Sequence, residues 1–204
     1  MRPTLILPTA ALFALTGCIE EPTRVVPVGG PVEAHGDMDH HDGDHTASGD
    51  MGAAVTAVIS ELDGSGVSGT VTFTETAGDL LRVEYAITGL QPGPHGFHVH
   101  ENGSCAAGDD GTPGGAAGGH FNPGGDPHGG PEAGDDARHD GDFGNIMATE
   151  RGLANGSFTD DVARLMGAGG ISGKALMIHA GEDDLQSQPS GDAGGRVGCG
   201  VIGG

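Results

Sequence analysis

The sequence predicts an all-β domain, with short antiparallel strands packed as a sandwich or barrel and long glycine-rich loops between them. Three observations predict it. First, Val67, Val71 and Phe73, then Leu81, Val83, Tyr85 and Ile87, alternate with polar or small residues. A period of two belongs to half-buried strands, whose side chains point to opposite faces in turn. Second, turn signals such as Asp63-Gly64-Ser65-Gly66 separate these segments. Third, 42 glycines, 35% hydrophobic residues and no tryptophan in 204 residues suit a small β core better than a helical bundle. Such a core is adequate but not generous, so metals or a disulfide are expected to help hold it.

The N-terminus reads as a targeting segment. Arg2 precedes Leu5 to Leu15, an apolar stretch too short to span a bilayer. Leu15-Thr16-Gly17-Cys18 resembles a bacterial lipobox. This gives residues 1–17 as a lipoprotein signal peptide and Cys18 as the lipidated residue. The chain is then expected at the cell envelope, held to the membrane by lipid alone and facing the periplasm or the extracellular side. Residues 18–52 read as a flexible tether, because Pro22, Pro27, Gly29, Gly30 and Pro31 argue against packing. The tether carries His35, His40, His41 and His45 among aspartates. Extra copper or zinc on this tract, or a plain solvated acidic linker, are both open readings. If Cys18 carries lipid, Cys105 and Cys199 remain as a pair for an oxidising compartment.

The net charge is -21, of which residues 1–52 contribute only -6. Nucleic-acid binding needs a basic surface, so that class is excluded.

Residues 53–204 read as the folded domain. Ala53 to Leu62 forms the first strand, and the two alternating segments form the second and third. Gln91-Pro92-Gly93-Pro94 turns the chain into the stretch Gly96-Phe97-His98-Val99-His100. On a strand, His98 and His100 share a face and can aim two imidazoles at one transition-metal ion. From Asn102 to Asp140 strand signals vanish. So long a loop in a compact domain is expected to be functional. It holds Cys105, His120, His128 and His139, and bound metal can order a loop that apolar burial cannot. Strands resume at Asn145 to Thr149, Leu153 to Phe158, Lys174 to His179 and Arg196 to Ile202.

The ordered segments GFHVHENGSC, GGHFNP, HGGP, RHDGDFGN, MIHAGEDDL and GGRVGCGVIG resemble the copper/zinc superoxide dismutase family over roughly Ala53 to Gly204. The resemblance implies an eight-stranded Greek-key β-barrel with long metal-binding and electrostatic loops. It implies His98, His100, His120 and His179 as copper ligands. It implies His120, His128, His139 and Asp142 as zinc ligands, with His120 shared. Four imidazoles suit copper(II), and three imidazoles with a carboxylate suit structural zinc. Asp183 is the implied link between His98 and His128, with Asp184 a solvated neighbour. His95 is the implied structural hydrogen-bonder. Arg196 is the implied anion-attracting residue beside copper, with Ser190 lining the channel opposite.

The implied reaction is the two-step dismutation of superoxide to oxygen and hydrogen peroxide by a redox-cycling copper ion, with His120 as proton carrier. The resemblance leaves both a monomer and a homodimer open. One departure stands out: Ala180 to Gly195 holds no lysine or arginine, where the family often places lysines, and Asp192 stands where asparagine is common. Weak long-range steering is therefore expected. The competing reading is an envelope lipoprotein that binds copper and zinc without turnover.

Overall fold

The computed structural model describes residues 52–204 apart from residues 53 and 168. The expected signal peptide, Cys18 and the histidine-rich tether lie outside the described residues, as does the expected first domain residue, Ala53. Eight strands follow in order: β1 Ala54–Glu61, β2 Ser68–Thr76, β3 Leu80–Thr88, β4 Gly93–His100, β5 Asp142–Ala148, β6 Ala154–Asp160, β7 Ala175–His179 and β8 Arg196–Val201. All pairings are antiparallel, in the spatial order β5-β4-β7-β8-β1-β2-β3-β6. The connections β3–β4 and β6–β7 pass from one half of the sheet to the other. This is the nearly closed Greek-key barrel that the family resemblance implied, within the antiparallel class that the alternation predicted.

The alternating residues do what their period requires. Val71, Phe73, Leu81, Val83 and Ile87 are buried in one continuous core with Phe97, Val99, Ile146 and Ile178. The two edge strands, β5 and β6, are joined by side chains. Phe143 on β5 meets Phe158 on β6 with ring centroids 5.5 Å apart, and both rings lie within 6.4 Å of Phe97. Such tilted and T-shaped aromatic pairs contribute beyond their buried area. Arg138, fully buried, donates to the Asp142 carbonyl (2.9 Å) and to the Asp160 carboxylate on β6 (2.7 Å). Removing one partner of such a pair strands a buried charge, a loss of about 3–5 kcal/mol.

Several strand boundaries differ from the sequence reading by one or two residues, and two strand starts differ in an instructive way. Gly93 and Pro94 belong to β4 rather than to the preceding turn. Pro94 is tolerated because it pairs only with Met147 of β5, while β7 joins β4 from Phe97 onward. The fifth strand begins at Asp142, three residues before Asn145. Asp142 carries the polar side chain that hid this start from a hydrophobic pattern. The long loop between β4 and β5 holds only two short 3-10 turns, Gly115–Ala117 and Asp135–Ala137.

Candidate metal centre

The barrel wall presents the site on its outer side, beneath the loops. Phe97 and Val99 enter the core, so His98 and His100 face the other way, and both are buried all the same. The cover is the long loop, which runs back along β4. Phe121 donates its backbone N–H to Val99 (2.8 Å), and His100 and His120 form an antiparallel bridge. Gly141 donates to Phe121 (3.0 Å), and its carbonyl accepts from Val99 (2.9 Å). A Cβ at Gly141 would strike the Val99 carbonyl, so only glycine lets the loop close here. At the end of β7, His179 pairs across a bulge with Arg196 of β8. A disulfide between Cys105 and Cys199 fastens the loop to β8, with Cα atoms 5.7 Å apart. Closing a loop of 94 residues stabilises the fold by roughly 4–5 kcal/mol in the chain-entropy model.

His98, His100, His120 and His179 form one group, all buried, with one ring nitrogen from each lying within 4.8 Å of the others. The far side of each ring explains which nitrogen is offered. His100 Nδ1 donates to the Gly118 carbonyl (2.9 Å) and His179 Nδ1 to the Gly194 carbonyl (3.2 Å). His98 Nε2 donates to Asp183 (2.7 Å). Carbonyl and carboxylate oxygens only accept, so these nitrogens carry the protons. The opposite nitrogens, His98 Nδ1, His100 Nε2 and His179 Nε2, are buried without a partner, as is His120 Nε2. Four convergent lone pairs with no protein donor among them fit a metal ion of imidazole preference.

His120, His128, His139 and Asp142 form a second buried group within the same 4.8 Å limit. Here the nitrogens surround an acid. His120, His128 and His139 each bring Nδ1 to the Asp142 carboxylate, at 2.7, 3.0 and 3.1 Å. The backbone N–H groups of Gly129 and His139 also donate to it (3.1 and 3.0 Å). Three nitrogens and one oxygen around one point fit a closed tetrahedral cation site. His120 belongs to both groups, with Nε2 toward the first and Nδ1 toward the second.

Proton affinities follow from these surroundings. Burial, reinforced by neighbouring rings, pushes His179 down to about 3 and holds His100 far below the usual imidazole range. Burial likewise pushes His120 down to about 4, against the pull of Asp142. For His128 burial is outweighed by Asp142 and Asp183, which raise it to about 9. Burial opposes the charge on Asp142 as well, yet the histidine and Gly129 bonds hold it well below the carboxylate range.

Asp183 links the groups, accepting from His98 Nε2 (2.7 Å) and His128 Nε2 (3.0 Å). Asn145 grips its backbone, donating to its carbonyl and accepting from its N–H, both at 2.8 Å. Asp184 is exposed and bonds within its own turn, to Gln186 and Ser187. His95 meets the carbonyls of Gln91 and His179, each at 2.8 Å, a bracing contact as its motif implied.

A pocket of about 360 Å³ reaches His100, His120 and His179, with Ser190 and Arg196 on its wall. The Arg196 guanidinium donates to the carbonyls of Gly114 and Gly118, the latter at 2.6 Å. Gly118 also accepts from His100, so one carbonyl aligns the cation and a ring of the first group. Sequence reasoning passed over Asn145 and Gly118. Asn145 lay within the quoted segment RHDGDFGN, but Gly118 acts through a backbone atom that leaves no side-chain signal.

These features define a β-barrel enzyme class with two adjoining metal groups and a cation-lined pocket. The chain belongs to the copper/zinc superoxide dismutase family, whose profile matches residues 67–202. The extracellular superoxide dismutase [Cu-Zn] of Drosophila melanogaster is 40% identical over 150 residues, covering 70% of this chain and 79% of that relative. The superoxide dismutase [Cu-Zn] of Deinococcus radiodurans is 41% identical over 147 residues, covering 69% and 80%. A crystal structure of the clock protein EA4 superposes with a TM-score of 0.65 at 38% identity, covering 74% of this chain and 94% of that one.

Proposed function

We propose that this chain dismutates superoxide to oxygen and hydrogen peroxide, with copper in the His98, His100, His120, His179 group and zinc in the His120, His128, His139, Asp142 group. The observation that carries the assignment is the set of four buried, unpartnered nitrogens facing one another at a pocket walled by Arg196. Copper, when bound, supplies the one-electron exchange; the chain supplies the rest. Arg196, held by two carbonyls, presents a fixed guanidinium that attracts and orients a small anion. His120 would stay anchored through Nδ1 in the zinc group beside Asp142, so a proton held at its Nε2 would sit at the pocket where peroxide must be protonated. Asp142 and Asp183 hold the ring directions.

The finer reading concerns placement. Residues 1–17 act as a lipoprotein signal, Cys18 carries lipid, and residues 18–52 tether the 53–204 domain at the envelope, where it consumes superoxide. The Leu15-Thr16-Gly17-Cys18 segment supports this, as does the Cys105–Cys199 disulfide, a bond that is common in oxidising compartments and rare in reducing ones.

The test is superoxide consumption by the full chain loaded with copper and zinc, with and without cyanide. Rapid, cyanide-sensitive loss is expected. Full metal occupancy without turnover would replace this reading with a copper- and zinc-binding lipoprotein.

A further inference from the structure

The segment that forms the mouth of the pocket is built onto His128. Pro189 and Ser190 line the pocket wall, and the residue before them, Gln188, reaches the other way. Gln188 accepts from the His128 backbone N–H through Oε1 (2.8 Å) and donates to the His128 carbonyl through Nε2 (2.9 Å). Its second Nε2 proton goes to the Gln186 carbonyl (3.2 Å). The side chain is exposed, yet its whole amide is used, and both ends of it read the backbone of one buried residue. Nothing about a solvent-facing glutamine requires this.

Two neighbours reinforce the same seam. Asp183 holds the His128 ring at Nε2 (3.0 Å) and accepts from Leu185 N–H (2.7 Å). Gly191, just beyond the pocket wall, has positive φ and lies so close that a Cβ would collide with the Asp183 carboxylate and the His128 ring. The chain from Asp183 to Gly191 is therefore moulded around His128, by ring, by backbone and by close approach.

We propose that Gln188 is a positioning residue that couples the zinc group to the copper pocket, fixing the His128 backbone on one side and the Pro189–Ser190 wall on the other. This rests on the assignment of zinc to the His128 group. Side chains that orient metal ligands typically change metal affinity by about 10- to 100-fold when removed. Gln188 acts one step further out, through the backbone, so the lower end of that range applies.

The test uses the full chain with copper in the first group and either zinc or cobalt(II) in the second. Gln188→Met keeps the length of the side chain and removes both bonds. It is expected to lose zinc to a competing chelator about tenfold more readily, to shift the cobalt d–d bands, and to weaken azide binding at the copper pocket. Gln188→Glu restores both bonds only when its carboxyl is protonated. Its zinc retention should therefore rise relative to Gln188→Met as pH falls from about 7 to about 5. Wild-type chelator competition and azide affinity in Gln188→Met would overturn the proposal. Zinc loss with unchanged azide affinity would overturn the coupling, as would identical pH behaviour of the two variants. Failure of the unmodified chain to take up cobalt in a tetrahedral spectrum would instead overturn the zinc assignment itself.

Discussion

The two metal groups share His120 but are built on opposite principles. The first gathers four imidazoles with no acid among their offered atoms, and each of His98, His100 and His179 is steered from behind by a carbonyl or carboxylate. The second packs three imidazoles around the charge of Asp142. In the first, burial keeps His100 and His179 neutral at every ordinary pH. In the second, two acids keep His128 protonated up to about 9 in the absence of metal. A neutral cage whose rings border the pocket suits an ion that changes charge, because no fixed counter-charge in the cage favours one state. A cage with its own anion suits an ion that keeps its charge and holds the loop.

The sharpest way to break this contrast is to remove a ligand belonging to one group only. His179→Ala is expected to lower superoxide consumption by more than about 100-fold, since even outer contacts cost 10- to 100-fold. Zinc content, measured by elemental analysis, should stay near one per chain. His139→Ala should do the reverse to occupancy, emptying the second group of zinc while copper remains. An active His179→Ala protein would show that the groups are misassigned.

Asp183→Ala tests what the groups have in common. It frees His98 and His128 together, so both metals should bind about 10- to 100-fold more weakly, read by separate chelator titrations. Loss from one group alone would mean that the link is not shared.

Proton release separates the groups at smaller scale. At pH about 7.5, zinc uptake must displace the proton that Asp142 and Asp183 hold on His128. Copper uptake displaces none from His100 or His179. An indicator in weak buffer should register acid on adding zinc alone. The same shifts set metal-free stability. For His100, His120 and His179 the folded value lies below 6.5, so their contribution is full above that pH and is lost as pH falls toward 4 and 3. His128 is raised, so its contribution is full below 6.5 and is lost as pH rises through 9. Urea midpoints of the metal-free chain should peak near pH 6.5, and a midpoint that climbs steadily to pH 9 would contradict this.

The smallest effect concerns the pocket. With no lysine or arginine between Ala180 and Gly195, attraction rests on Arg196 at close range. Turnover should fall less steeply with added salt than in lysine-bearing relatives, because short-range pairs are little screened. A steep fall would place the steering field elsewhere.

Periodicity made the barrel legible. Phe73, Val83 and Ile87 lie in the core because alternation leaves them no other face. The candidate ligands were legible because His98 and His100 share a strand face and the others lie in ordered segments that resemble one family. Asp142 was legible as a candidate ligand and illegible as the start of β5, since one polar side chain served both ends. Asn145, Gln188 and Gly118 were hidden for a different reason: the first two act on backbone atoms of residues far along the chain, and Gly118 acts through its own carbonyl.

The sequence alone determined the strand period, the order of the candidate ligands and the missing lysines. Each is a property of side-chain identity at a given spacing. Only the tertiary structure decided which nitrogen each ring offers, that Gly114 and Gly118 aim Arg196 from about 80 residues away, and that Gln188 clasps His128 across 60. Apart from the Asp142 and Asp183 carboxylates, those decisions belong to carbonyls and N–H groups, which every residue but proline carries alike, so only the path of the folded chain can choose among them.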